Sequence, residues 1–298
     1  MEFILHTTML DGIEALLALE HTGTVSEGAT RLRLTQSAVS KRIKALETAL
    51  GYAVVERDGR RLRVTSAGAA FLRRAKPLLA ELRGLTRLLE PSPAQTLSLG
   101  LADSIASSWG PRLLKRSLAG RHDLRLDVHV HRSLLVLERV RLGQYDLGLI
   151  AGQPQGKDLI WTPIVVEPMV LVGNSEPRDI AAPIFTIEMA SATWRDIGRR
   201  ILKHPRLQTA QWTFVESFAA AAQMARAGFG RALVPAGIAI ALGFRRAHGS
   251  VVQLDVKRQI QCVARKSING LPSVVRWQQE LATLAAKYAS RHSSTQLL

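Results

Sequence analysis

Thr35, Gln36, Ser37, Ser40 and Lys41 crowd into the run TQSAVSK, and side chains of these types suit a nucleic-acid surface. A glutamine amide offers the donor and acceptor that adenine N6 and N7 require together. Hydroxyls at Ser37 and Ser40 reach base edges or phosphates, and Lys41 adds charge or a guanine contact. Thr35, at the start of a helix whose first amides are free, suits a phosphate. Downstream, Arg57, Arg60 and Arg61 surround an Asp58-Gly59 step. Arg60 and Arg61 fit a narrow minor groove, with Arg57 nearer the backbone. The alternative is that Thr35, Ser37 and Ser40 only cap a helix and face solvent.

A second set of polar residues sits where strands give way to helices: Asp103 and Ser104, Ser133, Ser191 and Thr193, and Glu216 with Ser217. Open parallel sheets bind ligands beyond the carboxyl ends of their strands, so these positions are candidates for a small-molecule pocket. Read as helix N-caps instead, Asp103, Ser104, Ser133 and Ser217 contribute about 1 kcal/mol each. A charge balance of +12 beyond residue 90 favours an anionic ligand. His129-x-His131 lies on one strand face without a third metal ligand at a diagnostic spacing, so no metal is expected. No G-x-S-x-G, P-loop or HExxH pattern occurs and Cys262 is the single cysteine, which argues against an enzyme and names no cofactor.

The elements that position these residues follow from periodicity and caps. Apolar residues from Leu10 give a first helix ending near Gly23; Thr24 or Ser26 starts a second that carries Ala29 and Leu32. Thr35 caps a third helix to Leu50, stopped by Gly51, with Val39, Ile43, Leu46 and Leu50 on one stripe. A short helix, a tight turn and a helix with a polar start make a helix-turn-helix, and Asp58-Gly59 between two short runs adds a hairpin wing. A long helix over 66–90 follows, with Pro77 as an expected kink and Leu78, Leu82, Leu85 and Leu89 along one seam. Pairing with a second copy buries that seam, so a homodimer through this linker helix is expected.

From residue 97 strands and helices alternate, which implies a parallel sheet. Strands are expected at 97–101, 124–130, 146–150, 168–172, 183–187, 209–215, 231–234, 251–255 and 259–264. Helices are expected near 105–118, 134–142, 193–203, 217–227, 236–243 and 272–290. The chain divides into 1–65, 66–96 and 97–298, the last as two α/β lobes, lobe I about 97–165 with 266–298 and lobe II about 166–265.

The 298 residues are 47% hydrophobic and 21% charged, which excludes a wholly disordered chain. The net charge of +16 points to a polyanionic partner; within 31–63 nine cations face only Glu47, Glu56 and Asp58. No apolar run reaches the ~18 residues of a membrane span, and the first ten residues lack a basic region ahead of an apolar one. A cytoplasmic protein is expected.

Residues 24–68 resemble the DNA-binding domain of LysR-type transcriptional regulators. The matching pieces are Ala29 and Leu32, Thr35-Gln36-Ser37-Ala38-Val39-Ser40, Ile43 to Gly51, Arg57 to Arg61 and Thr65 to Gly68. Gly143-x-x-Asp146-Leu147 and Gly228-x-Gly230 with Pro235 extend the likeness, and 102–106 are similar to the regulators of basic amino-acid export, a similarity that implies Asp103 and Glu216 on a ligand amine with helix N-termini on its carboxylate. The resemblance implies an N-terminal all-α winged helix-turn-helix, a linker helix and a C-terminal two-lobed α/β domain like a periplasmic binding protein. It also implies a homotetramer on double-stranded promoter DNA that answers to a small-molecule effector and acts on RNA polymerase. In the family, hydroxyls matching Ser104 and Ser133 often line the inducer pocket.

Overall fold

A computed structural model describes residues 2–58, 61–86, 95–173, 183–244 and 251–294. The chain forms two compact units, Met1–Leu79 and Ala80–Leu298.

In the first unit α1 (Glu2–Thr22), α2 (Val25–Leu32) and α3 (Gln36–Leu50) precede a hairpin of β1 (Val55–Asp58) and β2 (Arg61–Val64), and α4 (Ser66–Thr86) follows. Its core joins Leu16 and Leu19 of α1, Ala29 of α2, and Val39, Ile43 and Leu46 of α3 to Val54 and Leu72. The caps explain the breaks. The Thr24 hydroxyl accepts the Glu27 N–H, and Thr35 accepts the Ala38 N–H, each at 3.2 Å. Gly51 closes α3 at φ 76°, a left-handed conformation that costs glycine little. Glu47 on α3 accepts the Val54 and Val55 N–H groups at 2.8 and 3.1 Å, which fastens the hairpin to that helix. Asp58 pairs with Arg61; residues 59–60, Arg60 among them, lie outside the described residues. α4 continues through Pro77, and 87–90 of the expected helix lie outside the described residues. Leu72, Ala75 and Leu79 are buried, whereas Leu78 is 71% and Leu82 47% exposed.

The second unit runs β3 (Gln95–Ala102), α5 (Asp103–Ala106), α6 (Gly110–Ser117), β4 (Leu124–His131), α7 (Ser133–Arg141), β5 (Leu147–Ala151), β6 (Ile160–Val172), β7 (Ile184–Ile187), α8 (Ala192–Lys203), β8 (Trp212–Val215), α9 (Phe218–Arg226), β9 (Arg231–Pro235), α10 (Ala236–Ala241), β10 (Val251–Ala264), α11 (Lys266–Asn269) and α12 (Pro272–Ser294). Among the described residues its strands form one sheet in the order β4-β3-β5-β10-β6-β9-β7-β8. β3 lies parallel to β4 and β5, and β7 lies parallel to β8 and β9. β10 and β6 run antiparallel through the middle, from Val251↔Val172 to Ala264↔Ile160.

Two expectations change here. The helix near 105–118 is broken into α5 and α6: the Ser108 hydroxyl donates back to the Ser104 carbonyl at 2.7 Å, and a proline opens α6. The strands at 251–255 and 259–264 are one strand, and the strand at 168–172 begins at Ile160. The register of β10 on β6 shifts between Gln253 and Lys257 and between Ile260 and Gln261. Pro168 and Pro163 pair beside those irregularities, where a missing N–H is tolerated.

The long strands carry two cores. Leu97, Leu99, Leu149, Ile164, Cys262 and Trp277 pack in lobe I. Met169, Leu171, Ile197, Phe218, Leu233 and Val256 pack in lobe II. The change of core therefore falls between Ile164 and Met169 on β6 and between Val256 and Ile260 on β10. In the Gly143-x-x-Asp146 motif, Gly143 has φ 72° and a Cβ there would lie 2.2 Å from the Ala80 Cβ. Asp146 accepts the Ser98 N–H and hydroxyl at 3.0 Å and forms a buried ion pair with Arg265 at 3.2 Å. No helix among the described residues is long and apolar enough to cross a membrane.

Candidate functional site

In the first unit the polar start of α3 is a surface. Thr35, Gln36, Ser37, Ser40 and Lys41 are all exposed, as is Arg57 on β1. The Thr35 hydroxyl is spent on its cap and lies 3.0 Å from that of Ser37, while the Gln36 amide donates to Ser26 at 3.2 Å. Gln36 is thus steered by α2 as well as carried by α3. Arg42, one position beyond Lys41, turns inward to pair with Asp11 at 3.2 Å. Arg61 lies in β2, opposite Asp58.

In the second unit, a cavity of about 180 Å³ opens where α5, α7 and α8 begin. Asp103, Ser104, Ser133, Ser191 and Thr193 line it, with Leu135, Ile187 and Phe218 supplying apolar wall. Drug-sized sites occupy ~300–1,000 Å³, so this volume suits a small metabolite. The cap alternative divides these residues. Ser191 and Ser217 do cap α8 and α9 through the Trp194 and Ala220 N–H groups. Asp103, Ser104 and Ser133 cap nothing: α5 and α7 follow Ala102 and Arg132 without a side-chain cap. Burial pushes the Asp103 carboxyl above its usual range, against the pull of the Ser104 N–H and of Arg258 and Arg132. Glu216 and Ser217 do not line the cavity. Ser217 is turned to its cap, and Glu216 faces Arg132 at 3.3 Å.

Arg258 closes the floor from β10. It is 1% exposed and directly opposite Glu167 of β6. Its Nε and Nη2 donate to Glu167 Oε2 at 3.0 and 2.7 Å, and Glu167 Oε1 accepts the Gly237 N–H at 3.0 Å. The remaining nitrogen, Nη1, donates to the Ser104 hydroxyl at 3.1 Å and the Thr193 hydroxyl at 3.4 Å. Ser104 belongs to lobe I and Thr193 to lobe II. One guanidinium, held at the change of core, therefore touches both lobes inside the cavity. Arg132 stands at the cavity edge, pairing with Glu188 at 2.6 Å while its Nη2 is buried without a hydrogen-bond partner.

A surface helix in a winged helix-turn-helix and a cavity between α/β lobes each have known counterparts. Residues 10–69 match the family described as "Bacterial regulatory helix-turn-helix protein, lysR family", and residues 90–285 match "LysR substrate binding domain". The chain belongs to the LysR family of transcriptional regulators. Such proteins are regulators and not enzymes. HTH-type transcriptional regulator BbuR of Bordetella bronchiseptica is 30% identical over 189 residues, which span 62% of this chain and 55% of that one. The fold is that of full-length LysG from Corynebacterium glutamicum, solved with bound effector Arg (TM-score 0.62, 19% identity, 93% of this chain and 97% of that one). It is equally that of full-length CbnR, solved in complex with its target DNA (TM-score 0.58, 21% identity, 92% of this chain and 98% of that one).

Sequence reasoning about this LysR regulator missed Arg258, Glu167 and Glu188. Arg258 and Glu167 are 91 residues apart and each looks like an ordinary strand charge. The signal available was charge inside otherwise apolar strands, at Val165-Val166-Glu167 and Val256-Lys257-Arg258. His129 and His131 serve packing and hydrogen bonding: both stack on Tyr145, at 5.0 and 6.0 Å, and His131 shares a 2.9 Å bond with Arg139. Desolvation, then Arg139 and His129, hold the His131 imidazole below its usual pKa. Trp194 packs edge-on to Trp212 at 5.3 Å in the lobe II core.

Proposed function

We propose that this LysR regulator sits on promoter DNA as an oligomer and senses a small polar metabolite in the cavity floored by Arg258. Gln36, Ser37, Ser40 and Lys41 would read base edges in the major groove, with Thr35 and the first amides of α3 on a phosphate. Arg57, Arg60 and Arg61 would hold the flanking backbone and minor groove. The exposed Leu78 and Leu82 of α4 support a homodimer through that helix, and pairs of dimers would make the tetramer. Work on promoter DNA with RNA polymerase would take place in the cytoplasm.

The observation that carries the effector reading is the Arg258 guanidinium shared between Ser104 and Thr193. A ligand that takes those hydroxyls, with Asp103, Ser133 and Ser191 around it, replaces an internal tie between the lobes with its own contacts. Differential contact of this kind shifts the balance between open and closed lobes. Transmitted through the oligomer, it alters promoter bend and access by RNA polymerase.

The test starts from genomic fragments that the chain retains at two salt concentrations. Genes beside the retained sites supply candidate metabolites, each then added during footprinting. A metabolite that shifts the wild-type footprint but not that of Thr193→Val or Ser104→Ala supports the reading. One that shifts all three alike places the effector elsewhere.

A further inference from the structure

α8 carries a stripe of cations that neither the cavity nor the lobe II core uses. Thr193, Trp194, Ile197 and Ile201 are buried and hold the helix to the lobe. Arg195, Arg199 and Lys203 stand at successive i,i+4 positions on the opposite, exposed face, with Arg200 alongside. Among the described residues none of Arg195, Arg199 or Lys203 has an ion pair. Arg200 has one, 4.0 Å from Asp196. Like charges at i,i+4 disfavour a helix, so packing against the lobe maintains an arrangement that these pairs oppose. A stripe of three cations covers about 12 Å along the axis.

We propose that this stripe is a docking surface for the phosphate backbone of double-stranded DNA, additional to the winged helix-turn-helix. A duplex presents one negative charge per ~1.7 Å of axis, a regular row of anions that matches a row of cations. The charge balance agrees: the chain beyond residue 90 carries +12 of the total +16. Contacts of this sort position without specifying, and they lengthen the DNA held rather than change the sequence chosen.

The test uses the full chain with R195Q/R199Q/K203Q, and as a charge-matched control R112Q/K115Q/R116Q on the exposed face of α6. Affinity for a long duplex carrying a retained site is measured against salt, and again on a random duplex of equal length. Each lost phosphate contact flattens the log–log slope by about 0.9, so the α8 variant should lose on the order of two to three from its slope on both duplexes and protect a shorter footprint. The single variant K203Q should lose about 0.9. Unchanged melting of both variants shows that the fold is intact. An unchanged slope overturns the proposal. A loss of transcription with unchanged DNA binding overturns it in favour of an acidic protein partner. Equal slope losses for the α6 and α8 variants overturn it by reducing the effect to net charge.

Discussion

Replacing Arg258 by methionine is the sharpest perturbation of the lobe junction. The change removes the Nη1 bonds to Ser104 and Thr193, and it leaves the Glu167 carboxyl buried, 7% exposed, without its guanidinium partner. Breaking one side of a buried pair costs about 3–5 kcal/mol, because the partner keeps its desolvation penalty. For a unit of this size each kcal/mol lowers Tm by about 2–4 °C, so Arg258→Met should melt roughly 6–20 °C earlier. Glu167→Gln should cost a similar amount, since the guanidinium then lies buried without a counter-charge. The double variant Glu167→Gln/Arg258→Met buries no charge at the pair, retains an acceptor for Gly237 and should regain most of the loss. Intrinsic fluorescence is the assay, because all five tryptophans, from Trp109 to Trp277, lie in the second unit, whose unfolding they therefore report alone. A double variant no more stable than Arg258→Met, or single losses below about 1 kcal/mol, would refute the coupling.

Other outcomes follow from residues elsewhere. Asp146→Asn removes the charge of one member of the buried pair with Arg265 and should destabilise the second unit by about 3 kcal/mol in denaturant titrations, with effector affinity unchanged in the folded protein. Gln36→Ala should lower affinity for the retained site and leave random DNA untouched, whereas Arg61→Ala should weaken both; equal losses for the two variants would contradict these roles. Burial pushes the Cys262 thiol up to about 12 from 9.0. The unfolded chain therefore releases this proton first: stability from this group is intact below pH 9, falls as pH climbs past it and levels off near 12. Alkylation at pH 8 should accordingly require opening of the structure around Cys262, and labelling of the native chain as fast as that of the unfolded chain would refute the buried assignment. Leu78→Glu together with Leu82→Glu should shift sedimentation toward smaller species if α4 pairs copies.

The parts of the fold legible in the sequence are those set by local chemistry. Thr35, Gly51 and the stripe Val39–Ile43–Leu46 mark the ends and the buried face of α3 because caps and periodicity act within a few residues. The alternation of strands and helices beyond residue 97 is local in the same way. What escaped depends on register between distant strands. β6 and β10 read as shorter pieces because Glu167, Pro168, Lys257 and Arg258 interrupt their apolar runs, and only pairing shows that two of these interruptions neutralise one another. The candidate cavity divides along the same line. Asp103, Ser104, Ser133, Ser191 and Thr193 were visible as residues at strand-to-helix junctions, whereas its floor came from the middle of a strand, where no junction rule looks. Glu216 and Ser217 satisfied that rule and still fell outside, one drawn to Arg132 and the other to its own helix.

The change of core inside β6 and β10 also fixes how this protein can be recombined. Each crossing between the lobes is a continuous strand, so lobe I consists of two separate stretches of gene with lobe II inserted between them. A chimera that takes lobe II from a relative needs two junctions, one near residue 166 and one near residue 258. Junctions placed on the same side of the pair keep Glu167 and Arg258 from one parent; junctions that separate them unite an arginine and a glutamate that were never matched. Gene shuffling should therefore recover stable hybrids only when both breakpoints move together.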